Sequence, residues 1–149
     1  DNLMKKLLAI MVLGLLFGGN ATSNATPVQT TWVIEKYLLS GAFLDGEKLV
    51  GKTQRFHKGL AEGVFFNCNN GGLNSWYATY SYEEFFNNKQ FKYFLQNKSI
   101  LNFPTDKKIY VEKLTCADNK SVLFPFIQFE DEDIGFYEFD NGFYQLRKK

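Results

Sequence analysis

The stretch VLFPFIQF-EDED-IGFYEF-DNG-FYQLR, residues 122–147, decides how the chain is read. Three runs rich in Phe, Tyr, Ile and Leu, side chains that suit a pleated and half-buried surface, are separated by an acidic tetrapeptide and by Asp140-Asn141-Gly142. Asn-Gly between apolar runs is a strong signal for a two-residue hairpin of the type I′ kind. With Asn141 and Gly142 at its centre, Phe139 opposes Tyr144 and Tyr137 opposes Leu146 on one face, while Glu138 and Gln145 take the solvent side. Pro125 inside the first run marks an edge strand or a bulge, because proline cannot donate to a ladder.

The same chemistry continues upstream. Residues 31–39 (TWVIEKYLL) place Trp32, Ile34 and Lys36 on one face, and Asp45-Gly46 then reads as a turn. Residues 49–57 and 61–68 form the next strand-like runs, and Asn69-Asn70-Gly71-Gly72 breaks the pattern with four turn formers in a row. Residues 73–80 (LNSWYATY) and 108–116 (KIYVEKLTC) complete the set. Between them the period changes. Ser81 can cap a helix with Glu84 closing a capping box, and one helix is expected near 82–95. The acidic start at Glu83 and Glu84 suits the positive end of the helix dipole. The expected fold is mainly β, an antiparallel meander closing into a small barrel, because closure removes exposed edges; a β-sandwich is the alternative.

The first residues carry an address. Met4, Lys5 and Lys6 precede an unbroken apolar run, LLAIMVLGLLF at 7–17, and then small and polar residues with Ser23 and Ala25 at a small-x-small spacing. Residues 1–25 therefore read as a bacterial-type signal peptide with Asp1, Asn2 and Leu3 as extra residues ahead of Met4. Residues 26–149 read as one domain of roughly 125 residues. An apolar run this short does not span a bilayer core of about 30 Å, so no stable membrane span is expected after cleavage. The expected location is periplasmic or secreted.

Export changes the reading of Cys68 and Cys116, which in an oxidising compartment are most simply a disulfide. They lack a C-x-x-C spacing for redox work, and with the lone His57 they do not make a four-ligand zinc set. Net charge is +1 for the whole chain and closer to zero without the leader lysines, which argues against nucleic acid as a partner. His57 beside Arg55 and Lys58 reads as a surface residue. Glu130 to Asp133 lacks the interleaved pattern of a calcium loop and reads as a solvated turn. No nucleophile elbow or phosphate loop is present, so no catalytic residue, metal or cofactor is assigned and the chain is not expected to be an enzyme. A cleft bringing Glu35 to Asp45 would reopen the case for a hydrolase.

Trp32 on a first strand, a meander, a helix before the last strands, and a terminal aromatic strand with a basic end (NGFYQLRK) resemble small exported bacterial barrels of lipocalin-like type. The glycine that precedes the lipocalin tryptophan by two residues is replaced by Thr30. The resemblance implies a non-catalytic binding protein, either a carrier of a small apolar ligand or a binder or inhibitor of a protein partner in the cell envelope. A structural envelope factor is the alternative. Aromatics make up 17% of the chain, more than a small barrel needs inside, so some are expected at a surface. The candidate surface is Trp76, Tyr77 and Tyr80 with Asn69 and Asn70.

Overall fold

The computed structural model describes residues 30–43, 45–57, 59–65, 67–68, 72–117 and 125–149, with the backbone alone at Trp76. The leader at 1–25 and the Asn69-Asn70 loop lie outside the described residues.

Eight strands form one antiparallel sheet that curls into a nearly closed barrel. They are β1 (Thr30–Leu39), β2 (Thr53–His57), β3 (Leu60–Gly63), β4 (Leu73–Tyr80), β5 (Ile109–Cys116), β6 (Phe126–Phe129), β7 (Ile134–Phe139) and β8 (Gly142–Lys148). Their order is β3-β2-β1-β8-β7-β6-β5-β4, so the first and last strands meet in the middle of the sheet. The two ends of the sheet approach at one corner. There the Leu73 amide, at the start of β4, donates to the carbonyl of Gly59, just before β3, at 2.8 Å. Ala61 bridges Cys68, and Cys68 is joined to Cys116 by the expected disulfide across a sequence separation of 48. In the chain-entropy account a loop of that size is worth about 4 kcal/mol, less any native strain. Among the described residues no helix is long and apolar enough to cross a membrane.

The terminal hairpin forms where expected but in another register. Phe139 pairs with Gly142, Glu138 with Phe143 and Tyr137 with Tyr144, so the turn is centred on Asp140 and Asn141. Both adopt left-handed backbone, at φ 54° and 63°, which Asn and Asp tolerate through local hydrogen bonding. Gly142 serves a different need. A Cβ there would meet the Gly41 nitrogen and the Leu39 oxygen at 2.7 Å, so the glycine lets β1 and its following loop approach. This corrects the expectation for Glu138, which is buried on the outer face instead of facing solvent.

The helical segment also departs in detail. Ser81 accepts from the Glu84 amide as the capping box requires, and α1 spans Tyr82–Asn87. At Asn88 the backbone turns extended (φ −84°, ψ 124°) and its side chain accepts from Gln90, starting a separate 3-10 turn at Lys89–Phe91. Two further short helices follow, α2 (Lys92–Gln96) and α3 (Lys98–Leu101), separated at Asn97. Asn88 accepts from the Gln90 amide, and the Asn97 side chain donates to the Tyr93 carbonyl at 2.8 Å; such local side-chain bonds compete with helix propagation, so the one expected helix is divided into three.

Two aromatic cores result, one on each face of the sheet. The inner core holds Trp32, Ile34, Phe56, Phe65, Leu114, Phe126, Tyr137, Tyr144 and Leu146 with the disulfide. Trp32 and Phe126 lie 4.9 Å apart by ring centroid, and Phe65 lies 4.7 Å from Tyr137. The outer core is made where α1 to α3 cover β5 to β8. Phe85 stacks on Phe91 at 4.4 Å, Phe103 meets Phe136 at 4.7 Å, and Tyr93 lies flat on Phe143 at 5.0 Å. Each fully buried Phe is worth roughly 1.5–3 kcal/mol in transfer free energy.

Candidate functional site

Strand periodicity places Tyr110 and Glu112 of β5 on the same inner face as Leu114 and Cys116, and Tyr77 of β4 beside them. Tyr77 pairs with Glu112 across β4 and β5, and Tyr110 pairs with Gln128 across β5 and β6. These four side chains are polar or amphipathic where the other end of the barrel is filled with aromatics. The outcome is a half-open cup of about 700 Å³ at the barrel mouth.

Its floor is a buried hydrogen bond in which the Gln128 amide donates to the Glu112 carboxyl at 2.7 Å. One wall is the pair Tyr77 and Tyr110, with ring centroids 5.7 Å apart. The opposite rim is the β6–β7 turn, Glu130, Asp131, Glu132 and Asp133, and Lys148 of β8 completes the lining. The turn is tied down by the Lys148 amide donating to the Asp133 carbonyl at 2.9 Å and the Glu130 amide donating to Lys108 at 3.1 Å. The Lys148 ammonium rests over the Trp32 ring, 5.5 Å from its centroid. Burial raises the Tyr110 phenol above its ordinary pKa, and Glu130, Tyr77 and Asp131 add to that. It remains a neutral hydroxyl at physiological pH.

Five carboxyl side chains, Glu112 and Glu130 to Asp133, therefore face one amine. Tyrosine rings present negative π-faces to a cation, and carboxylates in a concave, partly dry site hold one more strongly than in open water. A cup of this composition is chemically suited to positive charge attached to an organic body. Among the described residues no group of three His, Cys, Asp or Glu is arranged to hold a metal ion.

The sequence-predicted residues are divided by the fold. Tyr77 enters the cup. Tyr80 is on the other face, buried beneath the helices against Phe85 at 6.3 Å and Phe91 at 5.4 Å, so it is core and not a surface. Trp76 is a β4 residue opposite Lys113, and its side chain lies outside the described residues, as do Asn69 and Asn70. Glu35 and Asp45 are each engaged elsewhere. Glu35 accepts from Arg147 at 2.9 Å and Gln145 at 2.7 Å, which hold its carboxyl below the ordinary pKa, and Asp45 caps the 3-10 turn Gly46–Leu49.

The residues that sequence reasoning missed are Tyr110, Glu112, Gln128 and Lys148. The signal for two of them was present: counting back by twos from Cys116 along KIYVEKLTC reaches Glu112 and Tyr110 on one face. The acidic turn Glu130 to Asp133 faces solvent as expected, with Asp131 and Asp133 exposed, and it also lines the rim of the cup. Comparison of the chain with protein-family models, with curated proteins and with solved structures finds no match.

Proposed function

We propose that the chain is an exported, non-catalytic binding protein of lipocalin-like barrel type that holds a small organic cation in the cup at its barrel mouth. The observation that carries this reading is the composition of the cup: two tyrosine rings on one wall, a four-carboxylate turn on the other, and the buried Glu112–Gln128 pair beneath. An apolar ligand is a poorer fit, because seating it would strip water from those carboxylates without replacing their hydrogen bonds. The leader-like segment and the disulfide support delivery to an oxidising bacterial compartment, periplasmic or external.

A titration of the domain distinguishes the ligand classes. Benzyltrimethylammonium, its neutral isostere neopentylbenzene and the anion phenylacetate are compared by calorimetry at low and moderate salt. The cation should bind, weaken as salt rises, and weaken further in Glu112→Gln and in a variant with Asp131 and Asp133 changed to Asn. Equal binding of the neutral isostere, or no binding of the cation, would overturn the reading.

A further inference from the structure

Away from the cup, one carboxyl is buried without a counter-charge among the described residues. Glu138 of β7 is 5% exposed and sits on the outer face, opposite Phe143 and under the helical cover. Its surroundings are aromatic. Phe143 is covered by Tyr93 of α2 at 5.0 Å and by Phe94 at 5.2 Å, and the Tyr93 hydroxyl donates to the Asn141 carbonyl at the tip of the same hairpin. That hydroxyl is the tie between cover and hairpin.

The ionisable groups around Glu138 are few. From α2 the neighbour is the Tyr93 phenol, whose pKa is raised first by burial and then by Glu138. On its own strand it is the Tyr137 phenol, which burial and then Glu138 raise in the same way. Within the turn, Asp140 directs its carboxylate to the Phe43 amide at 2.8 Å. From β8 the nearest outer-face polar residue is Gln145, which donates to Glu35. From β6, Phe126–Phe129 brings no ionisable side chain. Among the described residues the ion pairs are Arg55 with Glu62 and Arg147 with Glu35, so no cation neutralises Glu138.

We propose that Glu138 makes the helical cover a pH-sensitive latch: with its carboxyl protonated, the Tyr93 segment stays clamped on the β7–β8 hairpin. When the proton is lost to solvent, the carboxylate draws water and the segment lifts from Phe143. Burial places the carboxyl at about 7, against an ordinary 4.5, so the range in question is physiological. The closed form keeps a proton that the open form releases between those two values. Closing is therefore favoured at low pH and weakens as pH rises through about 7.

Hydrogen exchange of the peptide covering α2 and α3, corrected for intrinsic exchange rates, tests this on the unaltered protein between pH 5 and pH 8. The opening equilibrium of that segment should rise roughly seventyfold over the range, with most of the rise below pH 7, while the β1 and β8 amides stay protected. In Glu138→Gln the rise should disappear and the segment stay closed at pH 8. In Tyr93→Phe opening should increase at every pH with the slope kept. A flat profile in the unaltered protein overturns the proposal whether or not the variants fold, and so does a full pH slope in Glu138→Gln.

Discussion

The two faces of this sheet hold their buried carboxyls differently. On the inner face the buried amide of Gln54 accepts from the Phe65 backbone at 3.0 Å, and Glu112 is held by Gln128. On the outer face the aromatic cover is nearly continuous, and Glu138 lies within it among rings. A buried polar group costs little when it is hydrogen-bonded and a great deal when it is charged and alone. The inner face therefore supplies a fixed site, and the outer face a cover whose hold varies with conditions.

Four tests sharpen or break that contrast. Phe85→Ala in the cover and Trp32→Ala in the inner core should each cost about 3–5 kcal/mol in urea unfolding, because both side chains are fully buried and pack against other rings. A loss under about 1 kcal/mol for Phe85→Ala would show that the cover is not part of the cooperative core. Replacing Cys68 and Cys116 together by Ala should cost about 2–4 kcal/mol and open the corner where the sheet nearly closes. Proteolysis near Gly59 and Gly72 in the variant, absent in the native protein, checks where the opening occurs.

The third test turns on sign. Gln54→Leu should destabilise by about 1–3 kcal/mol, since it orphans the Phe65 amide, whereas Glu138→Leu should leave stability unchanged or raise it at pH 8. If both changes destabilise alike, the distinction between the faces fails. The smallest effect is expected for Ser81→Ala, about 1 kcal/mol, read as a lower melting temperature with faster exchange confined to α1.

Much of the fold could be read from local chemistry. Alternating aromatic runs, the capping box at Ser81 and the cysteine pair each pointed to the element that formed, because each depends on neighbours in sequence or on compartment. The hairpin register could not be read that way. Asn141-Gly142 is a good turn by propensity, but Gly142 is needed for the close approach of the loop after β1, a contact between distant parts of the chain. The cup was less legible still. Glu112, Gln128 and Lys148 come from three strands, and a carboxylate with an amide partner looks like any surface pair until the sheet curls. Tyr77 and Tyr80 are close in sequence, but the pleat places them on opposite faces, Tyr77 in the cup and Tyr80 in the outer core.

The adjacency of β1 and β8 bears on how the chain reaches its native state. Trp32 must pair with Lys148 and Val33 with Arg147, so the middle of the sheet is closed by the most distant partners available. Local hairpins such as β7–β8 can form early, but the step that joins the two halves carries the largest loop entropy. Such a topology folds on the slower scale of milliseconds to seconds, and a nascent chain still lacking β8 has no partner for one edge of β1. A polypeptide of this design completes its sheet only when its last strand is in place beside its first.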